Sequence, residues 1–313
     1  MLSRVADNLY WFGRYLHRAE NTARLINVNA NLMLDLPRRM TLGWGPLIEI
    51  VGADSVFRSH YDRASEENVV RFMITDPRNP GSIQSSLYNA REILRTVRDT
   101  MPHDAWEKLN DIYFHVQERG EVGAAGPAQR QVFLNEVIDA TLLIYSVLNS
   151  SMSRDVGYQF LRFGTNLEQA DMTTRILDVR ATRLGREPSG PDLTPFENII
   201  WMSVLRSLTA YQMYRRHMRS RVSGPGVLRF LLQNRDFPRS VMFCLTSIAS
   251  SLPTLPESRK TERAIERTRA LVRDANIDAL LKAHDGVPRL MDEIQIGLGE
   301  LHEALSEAYF KTS

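Results

Sequence analysis

An all-α fold is expected from three features of this chain. Proline is absent from 1–36, 128–187, 196–224 and 257–287, which leaves long stretches without the residue that breaks helices. Within those stretches apolar residues recur at three and four, the period of a helix with one buried face. No convincing run shows the period-two alternation of β-branched residues that marks a strand.

The first element is expected over 3–34. Leu9, Phe12, Leu16, Ala19, Ala23 and Ile26 fall on one face, Ser3 is placed as the cap, and Leu36-Pro37 closes the segment. Val69–Thr75 reads equally as a short strand or as one or two helical turns. Further helices are expected over 82–101, 103–119, 128–151, 153–184, 196–221, 238–251, 257–274 and 288–309. Glycine- or proline-bearing loops separate them at 35–46, 75–81, 120–127, 185–195, 222–226 and 252–256.

Composition narrows the class without naming a function. The 313 residues suffice for one sizeable core or two modest ones. The basic and acidic totals of 39 and 37 leave a net charge of +2, too balanced to imply nucleic-acid binding by itself. No continuous stretch of 18 apolar residues occurs, and charged and polar residues (Arg4, Asp7, Asn8) stand where a signal peptide needs an apolar block. A soluble, cytoplasmic protein with no membrane contact is therefore expected. The lone Cys244 excludes an internal disulfide and any cysteine-based zinc cage, and reads as a core residue.

The chain also repeats itself. Phe12, Gly13, Leu16, Ala19, Thr22, Arg24 and Val28 recur 151 residues later as Phe163, Gly164, Leu167, Ala170, Thr173, Arg175 and Val179. Trp44, Ala53, Arg58 and His60 match Trp201, Ala210, Arg215 and His217. The segment 69–74 matches 227–232, and Pro80, Ser82 and Leu87 match Pro238, Ser240 and Leu245. Two helical repeats, 1–152 and 153–313, sharing one core with pseudo-two-fold symmetry, are the expected organisation. The added residues fall in the loop around 185–195, where insertions cost little.

Polar residues flank the repeated apolar stripe. His17, Glu20 and Arg24 sit three and four apart, and their duplicates are Glu168, Asp171 and Arg175. One reading is an intrahelical pair at the edge of the core, stabilising by about 0.3–0.5 kcal/mol. The other is a shared polar cleft, in which Arg24 and Arg175 hold a carboxylate or phosphate while Glu20, Glu168 or Asp171 handle protons or metal. Arg14 and Arg18 lie on the other flank, opposite Thr165 and Gln169 in the second copy, so any such site is asymmetric. Arg91, Arg95 and Arg98 form a further row, either a solvated face or an inward one. The stretch 211–221 is the most basic; it suits a helix C-terminus, with an acidic protein partner or nucleic acid as alternatives.

Catalytic templates are missing. No Glu-x-x-His, His-Glu-x-x-His, phosphate loop or Gly-x-Ser-x-Gly occurs, so no metal site is assigned and the cofactor stays unknown.

The opening 1–24 resembles that of the bacterial Alpha-E family, an all-helical domain of unknown function. So do 167–175, the segment 82–99 with Asn89-Ala90-Arg91-Glu92 and Val97-Arg98-Asp99, and Phe237-Pro238-Arg239-Ser240-Val241. In that family a Glu-Arg pair precedes the Ala-Glu and Ala-Asp pairs. Here His17-Arg18 and Glu168-Gln169 each keep half, which implies altered activity if both full pairs are required. The resemblance further implies a neighbourhood of circularly permuted ATP-grasp ligases, transglutaminase-like proteins and a proteasome-related hydrolase. The expected role is an accessory or binding component of peptide ligation or modification, with an Arg/carboxylate cleft for an acidic peptide or phosphate-bearing ligand. The alternatives are an enzyme using Glu20, Glu168 or Asp171, and a non-catalytic scaffold.

Overall fold

The computed structural model describes residues 3–37, 42–185, 194–256 and 258–311. Fifteen α-helices and no strand occur among the described residues. The chain divides into two compact units, one of Met1–Ala30 with Leu42–Glu168 and one of Asn31–Thr41 with Gln169–Lys311.

The helix α1 (Ser3–Asp35), in the first unit as far as Ala30, carries the expected stripe, and Leu9, Phe12, Leu16, Ala19, Ala23 and Ile26 are all fully buried. Burying each large apolar side chain stabilises by about 1.5–3 kcal/mol, so packing rather than propensity holds this helix. Ser3, the residue expected as its cap, is itself helical. Two short helices, α2 (Gly45–Ile50) and α3 (Asp54–Arg58), are joined at Gly52, whose φ of 67° requires glycine or strain. The ambiguous segment at 69–75 is helical. It belongs to α4 (Glu66–Ile74), capped by Ser65 and opened by Glu66 and Glu67, which favour a helix N-terminus.

Ser82 caps α5 (Ile83–Thr96), and a 3-10 turn over Arg98–Thr100 leads to α6 (His103–Ala125) and α7 (Pro127–Ser151). The loop expected at 120–127 shrinks to Gly126, because Gly120 and Gly123 act as contact residues and not as breakers. A Cβ on Gly120 would lie 2.7 Å from Thr75 Cγ2, and one on Gly123 would lie 2.6 Å from the Phe133 ring. Helices α6 and α7 thus pack closely along their length.

By length and composition α7 also satisfies the requirement for a bilayer span, with a mean hydropathy of 1.4 over 18 residues, 39% of them buried. The expectation that nothing in the chain approaches a span is corrected for this helix. Its Phe133, Leu134, Val137, Ile144 and Leu148 are buried, which accounts for much of its apolar character.

The helix α8 (Val156–Gly185) begins in the first unit, where it crosses α1 at two glycines. A Cβ on Gly13 would lie 2.5 Å from the Leu161 carbonyl oxygen, and one on Gly164 would lie 1.9 Å from that of Tyr10. Neither position admits a larger residue without separating the backbones.

The second unit contains the rest of α8, then α9 (Glu197–Ser207), α10 (Tyr211–Met218), α11 (Gly224–Gln233) and α12 (Val241–Ser251). It continues with α13 (Arg259–Asp274), α14 (Ile277–Lys282) and α15 (Gly286–Leu305), which ends in a π turn over Ser306–Phe310. The single helix expected over 196–221 is broken at Thr209 (φ 53°). There the Ala210 N–H donates to the Leu205 carbonyl at 2.7 Å and the axis restarts. Most of the loop expected at 185–195 lies outside the described residues.

Gly164→Ala should destabilise the protein by about 3 kcal/mol or more, because the displaced atom is backbone. Gly299→Ala, a helical position with nothing within 4 Å of the added Cβ, should be neutral or stabilise by up to about 1 kcal/mol. Urea denaturation followed by circular dichroism would distinguish the two.

Candidate functional site

The Gly13–Gly164 approach brings the polar flank of α1 against Glu168, the last residue of the first unit. Arg18 Nε donates to Glu168 Oε1 at 2.6 Å and its Nη2 to Oε2 at 2.9 Å. Arg14 Nε donates to Oε2 at 2.7 Å. Two guanidinium groups therefore share one carboxylate whose side chain is 3% exposed. Burial alone would raise the Glu168 pKa. The charges of Arg18 and Arg14, and their hydrogen bonds, outweigh that and hold it down at about 2. On the other side, burial opposes the Arg18 charge, yet Glu168 shifts its pKa upward.

Aromatic rings position the arginines. Arg14 Nη1 donates to the Tyr10 hydroxyl at 3.1 Å, and its guanidinium lies 5.2 Å from the Trp11 ring centroid. Arg18 sits 5.5 Å from the Tyr15 ring. Burial pushes the Tyr10 hydroxyl up to about 12, so it stays a neutral hydroxyl across the working pH range. Each ring precedes its arginine by three or four residues, the helical spacing that lets them meet.

The other flank of α1 holds a second buried group. Arg24 Nε donates to Glu20 Oε1 at 2.7 Å, and Glu20 is fully buried. His17 Nδ1 lies 3.5 Å from Glu20 Oε2 and 3.1 Å from the Tyr145 hydroxyl of α7. The pair of Arg175 Nε with Asp171 Oδ2, at 2.9 Å, lies in the second unit, with both side chains partly exposed.

Arg91 belongs to a separate cluster on α5 and α6. Its Nε donates to Asn110 Oδ1 at 2.7 Å, and its guanidinium lies 5.0–5.6 Å from the rings of Tyr113, Phe114 and Trp106. Arg98 shares Trp106 at 5.8 Å. Neither is near enough to Glu168 to form an ion pair with it; Arg91 pairs with Glu92 at 3.0 Å.

Sequence reasoning missed two groups. Asp76 is buried, accepts from Tyr61 at 2.7 Å and is bound by Arg78. Those partners overcome the burial that would raise its pKa and hold it at about 2. Only the Asp-x-Arg spacing could have pointed to it. His103, Asp104 and Glu107 place one ligand atom each within 4.8 Å of one another, exposed at the start of α6. Acidic residues there also suit the helix dipole. Grooves occur elsewhere. One of about 290 Å³ between α6 and α7 is lined by Arg119, Val122, Phe133 and Glu136, among others. Another of about 640 Å³ lies among α13, α14 and α15.

The chain is thus an all-helical protein organised around a buried carboxylate bound by two arginines. It belongs to the Alpha-E family, described as a predicted alpha-helical domain with a conserved ER motif, whose family model matches residues 1–310. Relatives include an uncharacterized protein of Mycobacterium bovis and two of Mycobacterium tuberculosis. Each is 25% identical over 316 residues, covering 94% of this chain. This chain spans 35% of the length of those relatives. No solved structure matches it. Arg18 and Glu168, 150 residues apart in sequence, form one Glu–Arg pair in space.

Glu168→Gln should lower stability by about 3 kcal/mol at pH 7, since it removes the charge that two guanidinium groups face. Because the folded pKa is depressed, this contribution is fully present above about pH 4.5 and is lost as pH falls toward about 2. Urea titrations of both proteins from pH 7 to pH 2 should show the difference closing over that window.

Proposed function

We propose that the chain is a binding or accessory component of a bacterial peptide ligation or modification system, working with a circularly permuted ATP-grasp ligase. The observation that carries this reading is the closure of the polar residues flanking the helices on one another. Arg14 and Arg18 serve Glu168, Arg24 serves Glu20, and Arg175 serves Asp171. Their chemistry is spent on holding helices, which suits a platform for a partner better than a cleft that turns over substrate. The relatives support the same reading, since the matched region makes up 35% of a longer chain and so accompanies other sequence there. A transglutaminase-like protein or proteasome-related hydrolase of the same pathway is a further candidate partner, and a cytoplasmic location fits an ATP-dependent ligase.

The platform is built, in this reading, from two copies of one unit, 1–152 and 153–313. Gly52 and Thr209, both at positive φ, occupy matching positions. Ala53 and Ala210 each donate to the carbonyl five residues back. Asp76 and Asn234 each accept from the backbone two residues on, and Ser82 and Ser240 each cap the next helix. Gly13 facing Leu161 while Gly164 faces Tyr10 is the reciprocity that a two-fold crossing of α1 and α8 would give.

The expected result is co-purification with a circularly permuted ATP-grasp ligase, and an ATP-dependent ligation rate that falls at least about tenfold when this chain is omitted. A ligase equally active without it would sink the proposal. If the chain alone turns over substrate, and Glu20→Gln abolishes that turnover in a folded protein, the enzyme alternative takes its place.

A further inference from the structure

Between 198 and 235 the sequence has seven arginines, no lysine and no acidic residue. With a net charge of +2 for the whole chain, the remainder therefore carries five more acidic than basic residues. The whole stretch belongs to the second unit. Arg206 is paired with Asp35, and Arg229 with Asp278. Arg215, Arg216, Arg219 and Arg221 are all exposed, and no ion pair involves them among the described residues. They lie at the C-terminal end of α10 and on the turn that leads into α11.

The turn is held in a defined shape. Arg219 adopts φ 50° and ends α10 through its N–H to the Arg215 carbonyl at 3.2 Å. The buried Tyr214 hydroxyl lies 3.5 Å from the Arg221 carbonyl, and a Cβ on Gly226 would come within 2.4 Å of that hydroxyl. Gly226 thus permits the start of α11 to close on the turn. Ser223 makes no side-chain cap there, and the first turn of α11 has no acidic residue, so its positive end adds to the field.

A helix C-terminus presents about half a negative charge, which one cation offsets. Four arginines and His217 exceed that need, so the dipole does not account for the cluster. We propose that this turn is a docking surface for a short acidic segment of a protein partner. Arginine forks match carboxylates two hydrogen bonds at a time, and exposed Met213 and Gln212 between them offer side-chain contacts a peptide can use. A short oligonucleotide is the competing occupant, and the test below separates the two. The inference names a surface for the binding role proposed above, but its test uses the isolated chain and needs no ligase.

The test is fluorescence anisotropy of the full chain with a labelled octaglutamate peptide and a labelled octathymidylate in 0.15 M NaCl. The octaglutamate is expected to bind more tightly than the oligonucleotide. Replacing Arg215, Arg216, Arg219 and Arg221 by Gln should weaken it at least about tenfold, and raising salt to 0.5 M should weaken the wild type by a similar factor. Replacing the exposed Arg58, Arg63 and Arg119 by Gln should change binding less than about twofold. Circular dichroism identical to wild type confirms that each variant is folded. Equal loss in both variants, tighter binding of octathymidylate, or no octaglutamate binding would each overturn the proposal. Peptide binding without any effect on ligation would overturn the ligase role alone.

Discussion

One buried carboxylate organises the first unit. Glu168 would be costly to bury alone, since an isolated ion loses several kcal/mol of hydration on entering a protein interior. Two arginines from one face of α1 supply the compensating charge, and the rings of Tyr10, Trp11 and Tyr15 hold those arginines in place. The arrangement requires α1 and α8 to touch, because three guanidinium nitrogens must lie within 2.9 Å of one carboxylate. Gly13 and Gly164 meet that requirement by leaving the two backbones nothing to collide with. The ion cluster and the glycine crossing are therefore one device, and neither would be satisfied without the other.

The same economy appears at Glu20. A carboxylate that is fully buried accepts from Arg24 and stands beside His17, which in turn meets Tyr145 on α7. Polar residues here work as connectors between helices whose apolar faces would otherwise pack without a fixed rotation. A partly satisfied network would be worse than an apolar core, so such groups specify one arrangement when complete.

Charge is distributed in the opposite manner on the outside. A near-neutral total conceals a segment with only positive charge and a remainder with a negative excess. Opposite charges that close inside the fold fix helices. The exposed arginines of the α10–α11 turn form no such pair among the described residues. Charge inside the molecule is thus structural, and the unpaired charge at this turn is available to something else.

Much of the fold was legible in the sequence. The buried stripe of α1 and the helical character of the described residues follow from helical periodicity. Other features were not. Gly120 and Gly123 have the composition of a loop, yet they lie inside α6, because Thr75 and Phe133 need the space that a side chain would fill. Thr209 gives no local sign of breaking a helix, but its left-handed φ restarts the axis at Tyr211. The candidate residues His17, Glu20, Arg24 and Glu168 were visible as a polar flank, since spacing along one helix is a local property. The sequence determined that these residues share faces. Only the tertiary structure decided that Arg18 of α1 closes on Glu168 of α8, because a pairing across 150 residues depends on how two helices cross, and no local spacing encodes that.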